Sequence, residues 1–305
     1  MSSLLPEGFR FRNGVESDLE TVATLVYAEE KHLRGHSEWG PPEMIDFWRR
    51  CDFDGGTWLV EKADATPVGF AATMERDGEI DCWAAVHPEF TGRGLSTALL
   101  AKVDEHARGQ GSRKVKAGMF AENARARTLF EQLGFREVRR YYHMRIVFDG
   151  PPEVPALPDG IELATFRRED ARAFHAAVGE AFAEEWGFVA LPFDEWVRTR
   201  IDAPDTDLTL WFVARDQDEI AGIVRCDPKK YGGGWIGMLG VRTPWRKRGI
   251  GLALLQHAFT EFHRRGEPHV GLGVDADNPT GATRLYEKAG MQVLTEDIVF
   301  EQELA

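Results

Sequence analysis

Hydrophobic and polar positions alternate with two different periods along this chain, and the change of period marks its elements. The run Trp235–Val241, WIGMLGV, is β-prone and apolar enough for a buried strand. After a short polar turn, Leu254, Leu255, Ala258, Phe259 and Phe262 recur at helical spacing and form one face of an amphipathic helix. Strict alternation returns in His269–Asp275, where Val270, Leu272 and Val274 share a face. A second helix carrying Leu285 and Tyr286 then ends at Gly290, a residue suited to a helix C-terminus.

The same order occurs earlier in the chain. Val86 to Ser96 aligns with Val241 to Gly251, 155 residues later, and Asn123 aligns with Asn278 at the same offset. Phe130 then falls opposite Tyr286 and Gly134 opposite Gly290, with one residue added, and Tyr27–Glu30 matches Phe182–Glu185. An internal repeat of this length means two similar domains. They are expected at residues 1–150 and 161–305, joined by the segment 151–160, whose four prolines make it a semi-stiff linker.

Each half opens with a strand (Phe9–Arg12; Ile161–Thr165) and an amphipathic helix. A hairpin follows, Thr57–Lys62 with Val68–Met74 and Leu210–Arg215 with Glu219–Val224, and then the core strand, turn and helix. Each half is expected to close on its own final strands, Glu137–Phe148 and Gln292–Glu303. The fold class is α/β, an α+β mixed sheet in each half.

The turn after Val241 carries the chemistry. Gly249 and Gly251 lack a Cβ and let backbone approach a ligand closely. The turn feeds a helix N-terminus, where free N–H groups and the helix dipole favour an anion. Arg242, Arg246, Lys247 and Arg248 add positive charge, which suits a pyrophosphate with a further phosphate nearby. Neither the Gly-Lys-Ser/Thr of a P-loop nor the dinucleotide G-x-G-x-x-G is present.

Charge and composition narrow the classes. A net charge of −13 argues against general nucleic-acid binding. Cys51, Cys82 and Cys226 lie far apart, and the nine histidines show no ligand spacing, so neither a disulfide framework nor a metal site is expected. No apolar run is long enough to span a membrane, and the N-terminus lacks the apolar core of a signal peptide, so a cytoplasmic location is expected.

Val241 followed by Arg246-x-x-Gly249-x-Gly251, then Asn278, Leu285-Tyr286 and Gly290, resembles the GNAT N-acetyltransferase superfamily. With the repeat, the resemblance covers nearly the whole chain as two tandem GNAT domains. Phe182–Phe188 and Asn278–Ala282 resemble the tandem type typified by mycothiol synthase and its uncharacterised relatives.

That resemblance implies direct transfer of an acetyl group from acetyl-CoA to a primary amine of a small molecule, without an acyl-enzyme and without a metal. It implies that Arg246, Lys247, Arg248, Gly249, Ile250 and Gly251 hold the donor's phosphates. Splayed strands would admit the pantetheine arm between them. Leu239, Gly240 and Val241 would pair with its amides, and Asn278 would contact it or cap a helix before Pro279. Tyr286 would protonate the departing thiolate as general acid.

The first half departs from the pattern. Thr91 and Ser96 stand where the loop wants Arg/Gln and Gly/Ala, and Phe130 has no proton to give. The first domain is therefore expected to be degenerate and the second catalytic. The general base is open, because YGGGWIGMLGV, residues 231–241, holds no acid. Glu184 and Glu185 are the candidates on the segment expected to line the acceptor cleft, with Asp275 and Asp277 at the end of the next strand. The missing acid motivates an alternative, a non-catalytic acyl-CoA-binding or sensing protein; release of free CoA over a panel of amines separates the two. A third reading, transfer from an aminoacyl-tRNA, is opposed by the acidic charge and the phosphate-sized loop.

Overall fold

The computed structural model describes residues 5–278 and 280–304. The chain forms two compact units: one holds the chain up to Arg140 and again from Glu296 onward, and the other is Tyr141–Thr295.

The first unit contains β1 (Phe9–Asn13), α1 (Leu19–Arg34), α2 (Pro41–Trp48), β2 (Thr57–Lys62), β3 (Pro67–Arg76) and β4 (Glu79–Val86). It continues through α3 (Leu95–Gly109), β5 (Lys114–Phe120) and α4 (Ala124–Gln132), after which β6 (Arg136–Val147) leads into the second unit. There the order is β7 (Ile161–Thr165), α5 (Ala171–Phe182), α6 (Phe193–Trp196), β8 (Trp211–Asp216), β9 (Glu219–Lys230) and β10 (Gly233–Val241). Then come α7 (Ile250–Arg264), β11 (His269–Asp275), α8 (Ala282–Lys288) and β12 (Gln292–Glu303).

Each unit is one mixed sheet between helical layers. In the second unit, the stripe of α7 packs Leu254, Leu255, Ala258, Phe259 and Phe262 against one sheet face. On the other face α5 buries Phe174, Ala177 and Val178 with Trp196 and Trp211. In the first unit α3 and α1 take the corresponding places, with Leu95, Leu99 and Val103 on one face and Val22, Leu25 and Val26 on the other. Among the pairings described within each unit, the strands run antiparallel except β4 with β5 and β10 with β11.

The final strands depart from expectation. Neither half closes on its own last strand. Tyr141–Val147 of β6 pairs with β11, so the first repeat supplies an edge of the second unit's sheet. Asp297–Glu303 of β12 pairs with β5 and completes the first unit's sheet. Met144, 1% exposed, belongs to the second unit's core, while Ile298 and Phe300, 0% and 1% exposed, belong to the first. The reason is physical: a repeat offers two equivalent edges to two equivalent strands, and local alternation does not distinguish between them. The compact units are thus bounded at strands β6 and β12 and not at the proline-rich segment. Strand β9 is also longer than expected, because Asp227 and Lys230 stay in register opposite Trp235 and Gly233 of β10.

Candidate active site

Strands β10 and β11 run parallel but stay paired only over Gly234–Ile236 and Val270–Leu272. Beyond that point their ends separate, and a cavity of about 570 Å³ opens between them. This size lies in the usual range for a small-molecule site. Its walls include Gly237 to Val241 of β10, Leu272 to Val274 of β11, the start of α7, and Glu184 and Glu185 after α5. Asn278, Tyr286 and Leu285 complete it. The structure thus brings Leu239, Gly240, Val241, Arg246, Lys247, Gly249, Ile250, Gly251, Asn278, Glu184, Glu185 and Tyr286 to one pocket.

Gly249 is the N-cap of α7 with φ of +88° and no side-chain cap, a backbone that L side chains rarely adopt. The first N–H groups of α7 therefore meet the pocket without a capping oxygen in front of them.

The cations around this turn are used unequally. Arg246 donates through Nε to the Val241 carbonyl at 3.2 Å and through Nη2 to the Ala181 carbonyl at 3.2 Å. Its Nη1 also reaches Glu184 at 3.3 Å, so it braces the turn against the end of α5. Arg242 pairs with Glu180 at 2.7 Å, and Arg248 with Asp216 at 3.2 Å. Lys247, held at φ of +63°, lines the pocket without a salt bridge to any of the described residues.

The two neighbouring glutamates are separated by their environments. Glu184 is 71% exposed on its side chain and tied to Arg246. Glu185 is half-buried; burial first, and then the charge of Asp275, push its carboxyl above the usual range. Asp275 is itself 5% exposed and accepts from the Asp277 N–H at 2.9 Å. Tyr286 is buried in the core, and burial, followed by the charge of Glu185, raises its hydroxyl well above the ordinary tyrosine value. Glu185 and Tyr286 therefore sense each other electrostatically within one cavity.

Asn278 does not cap α8, which begins three residues later than expected, with Gly281 as N-cap. Its side-chain oxygen instead accepts from the Thr280 N–H at 2.9 Å and from the Thr280 hydroxyl at 2.5 Å, which pins the turn at the pocket rim. Pro279 lies outside the described residues. Cys226 and His257 are packing residues, the one in the core and the other edge-on to Phe212 at 4.6 Å.

The first unit keeps the splay, since β4 and β5 pair only over Ile80–Cys82 and Val115–Ala117. Its side chains differ. Phe130 is buried where the second unit has Tyr286, and the Thr91 hydroxyl is engaged by Arg125 at 2.7 Å. Asn123 caps α4 and donates to Glu29 at 2.9 Å. Burial pushes the Glu29 carboxyl up to about 7.

A model of the acetyltransferase (GNAT) family matches residues 24–135 and again 167–291, once in each repeat. The chain belongs to the GNAT acetyltransferases. This tandem acetyltransferase is 33% identical to a GCN5-related N-acetyltransferase from Sphaerobacter thermophilus, with a TM-score of 0.88 over 98% of this chain and 97% of that one. It is 31% identical to a mycothiol acetyltransferase of Thermobispora bispora, over 77% of this chain and 80% of the relative. The fold is shared with a tandem GNAT protein from the clavulanic acid biosynthesis pathway, at a TM-score of 0.75 and 19% identity over 97% and 98% of the two chains. No helix among the described residues of the acetyltransferase is long and apolar enough to cross a membrane.

Side chains to which sequence reasoning gave no role at the site also shape the pocket, among them Phe182, Phe188 and Leu272. Apolar residues on apolar faces carry no signal of their own, and only the parting of β10 from β11 exposes them.

Proposed function

We propose that the acetyltransferase acts through its second unit, moving an acetyl group from acetyl-CoA directly to a primary amine of a small molecule. The observation that carries this reading is the convergence, in one cavity, of an uncapped helix N-terminus, a parted parallel strand pair and the electrostatically coupled pair Glu185 and Tyr286. The residues fit the donor. The N–H groups at the start of α7 and the Lys247 ammonium suit its phosphates. The solvent-shared pair of Arg248 with Asp216 is weak enough to yield to a phosphate. The β10 backbone beyond Ile236 is left free by β11 for an extended amide-bearing arm.

Chemically, the amine nitrogen bonds to the thioester carbon, the carbon–sulfur bond breaks, the amine proton passes to Glu185 and the sulfur takes a proton from Tyr286. Of the two glutamates, Glu185 suits the base role. A carboxyl raised toward neutrality is a stronger base than an exposed one, and Glu184 is engaged by Arg246. The relatives named mycothiol acetyltransferase make a mycothiol-type amine the first acceptor to try. The substitutions at Thr91 and Phe130 support a first unit without turnover of its own.

The donor site is tested by Gly249→Val. A Cβ there would have room, its nearest neighbour being Pro158 Cγ at 4.0 Å, but a β-branched residue does not hold φ of +88°. The turn relaxes, and the N–H groups of α7 lose their aim. Acetyl-CoA affinity is expected to fall about tenfold or more, consistent with backbone strain of about 1–3 kcal/mol. Calorimetry beside a melting curve checks it; undiminished affinity would remove this turn from the donor site.

The base is tested by pH. Glu185 must be ionised to accept a proton, so kcat/KM should rise with pH through a value above the ordinary glutamate pKa of about 4.3. Glu185→Gln should lower kcat by about 10²–10⁴ and abolish that acid limb. An acid limb that persists unchanged in this variant would assign the base elsewhere.

A further inference from the structure

The two repeats carry different side chains at the mouth of the splay. In the second unit Glu184, Arg246, Asn278, Thr280 and Gly281 all line the cavity. Their counterparts, 155 residues earlier, are Glu29, Thr91 and Asn123, and Arg125 falls opposite the Thr280–Gly281 turn, where the repeat gains its extra residue. The first repeat thus lacks an arginine in the turn before its long helix and has one on the first turn of α4 instead.

This exchange changes what the side chains grip. In the second unit the bonds stay on one side of the opening: Arg246 meets Glu184 at 3.3 Å, and Thr280 donates to Asn278 at 2.5 Å. In the first unit they cross it. Asn123 Nδ2 donates to Glu29 of α1 at 2.9 Å, and Arg125 Nη1 donates to the Thr91 hydroxyl at 2.7 Å. Both bonds tie the start of α4 to the opposite wall. Each is aimed by a further bond, since Asn123 Oδ1 accepts from the Ala126 N–H at 3.0 Å and the Thr91 hydroxyl donates to the Pro88 carbonyl at 2.9 Å.

The rest of a donor site persists behind these bonds. Strands β4 and β5 part beyond Cys82 and Ala117. Gly94 is the N-cap of α3 at φ of +80° with no side-chain cap, as Gly249 is for α7.

We propose that Asn123 and Arg125 latch the first unit's splay shut, so that the chain takes one acetyl-CoA, in its second unit, while the first unit keeps a donor site that is closed and not lost. An extended arm entering between β4 and β5 has to pass the start of α4 and break both bonds. One bond has an arginine as donor and the other a carboxyl as acceptor, so each costs about tenfold in affinity and the two together about 100-fold. The inference rests on the donor lying in the splay, as proposed for the second unit.

The test is calorimetry with acetyl-CoA on the full chain, beside a melting curve. Wild type should bind one molecule per chain. Glu29→Ala with Arg125→Ala removes both bonds, leaves Asn123 as the cap of α4 and places a good helix former in α1 and α4. That variant should bind two molecules. Adding Gly94→Val, a residue that does not hold φ of +80°, should return the count to one and so assign the second molecule to the first unit.

Arg125 is exposed, so Arg125→Ala alone spares the core. It should open a second site about tenfold weaker than that of the double variant. Two molecules per wild-type chain, one of them lost with Gly94→Val, would overturn the proposal. A count of one in the folded double variant would do the same, and if that variant does not fold, a count of one in Arg125→Ala decides against the latch. Wild type that binds no acetyl-CoA would remove the donor from the second unit, while a Gly94-dependent molecule in the opened variants would still establish the latch.

Discussion

Tyr286→Phe is expected to lower kcat and kcat/KM together by about 10²–10⁴, with acetyl-CoA affinity close to wild type. The hydroxyl is held protonated by burial and by the nearby charge of Glu185, so it has a proton to give when negative charge develops on sulfur. Its contribution arises as that charge forms, which is why turnover and kcat/KM should fall in step. The substitution removes one oxygen and keeps the ring, which packs in the core of the second unit. The chain itself shows that a phenylalanine is tolerated at this place in the fold, because Phe130 occupies the equivalent position in the first unit at 6% exposure. A purely structural tyrosine would give the reverse result, a lower melting temperature with near-normal turnover. The check is steady-state kinetics beside a donor titration and a melting curve. Turnover within about threefold of wild type, far short of general-acid loss, would take Tyr286 out of the mechanism.

A fragment of residues 151–305, cut at the proline-rich segment, is expected not to fold. It lacks Tyr141–Val147, the strand that pairs along β11 from His269 to Asp275. It also lacks Met144, 1% exposed in the core, and removal of such a side chain costs about 2–5 kcal/mol. At its other end Ile298 and Phe300 would have no β5 to pair with and no core to enter, and would add an exposed apolar strand. Losses on this scale match the whole stability of a domain, about 5–15 kcal/mol. A fragment of residues 141–295, matching the compact unit, is expected to stay soluble, melt cooperatively and bind acetyl-CoA. Circular dichroism and calorimetry on the two fragments check it. A cooperative melt from 151–305 would show that β6 is dispensable to this unit.

The lining of the pocket between β10 and β11 was legible from sequence wherever it is local. The turn Arg246–Gly251 and the helix after it are contiguous, so spacing and residue type carry the signal. Tyr286 became legible by its order after that turn and Asn278. The finer assignments were not legible. Glu184 and Glu185 are adjacent and chemically identical, and only the end of α5 decides that one meets Arg246 and the other meets the charge of Asp275. The cations looked alike as letters, yet Arg246 is tied to two carbonyls and Glu184, while Lys247 lines the pocket without a salt bridge to any of the described residues.

By itself the sequence determined the repeat, the order of the core strands and main helices within each half though not the short helices α2 and α6, and the phosphate-suited turn before α7. These depend on period, on glycine and on charge within a few residues of one another, which a linear reading can see. Tertiary structure alone decided that β6 and β12 change places between the units, because two equivalent edges compete for two equivalent strands. It alone decided where β10 parts from β11 and which carboxyls face that opening. Those outcomes are set by distances between segments far apart in the chain, and burial and Coulomb interaction depend on such distances and not on separation along the sequence.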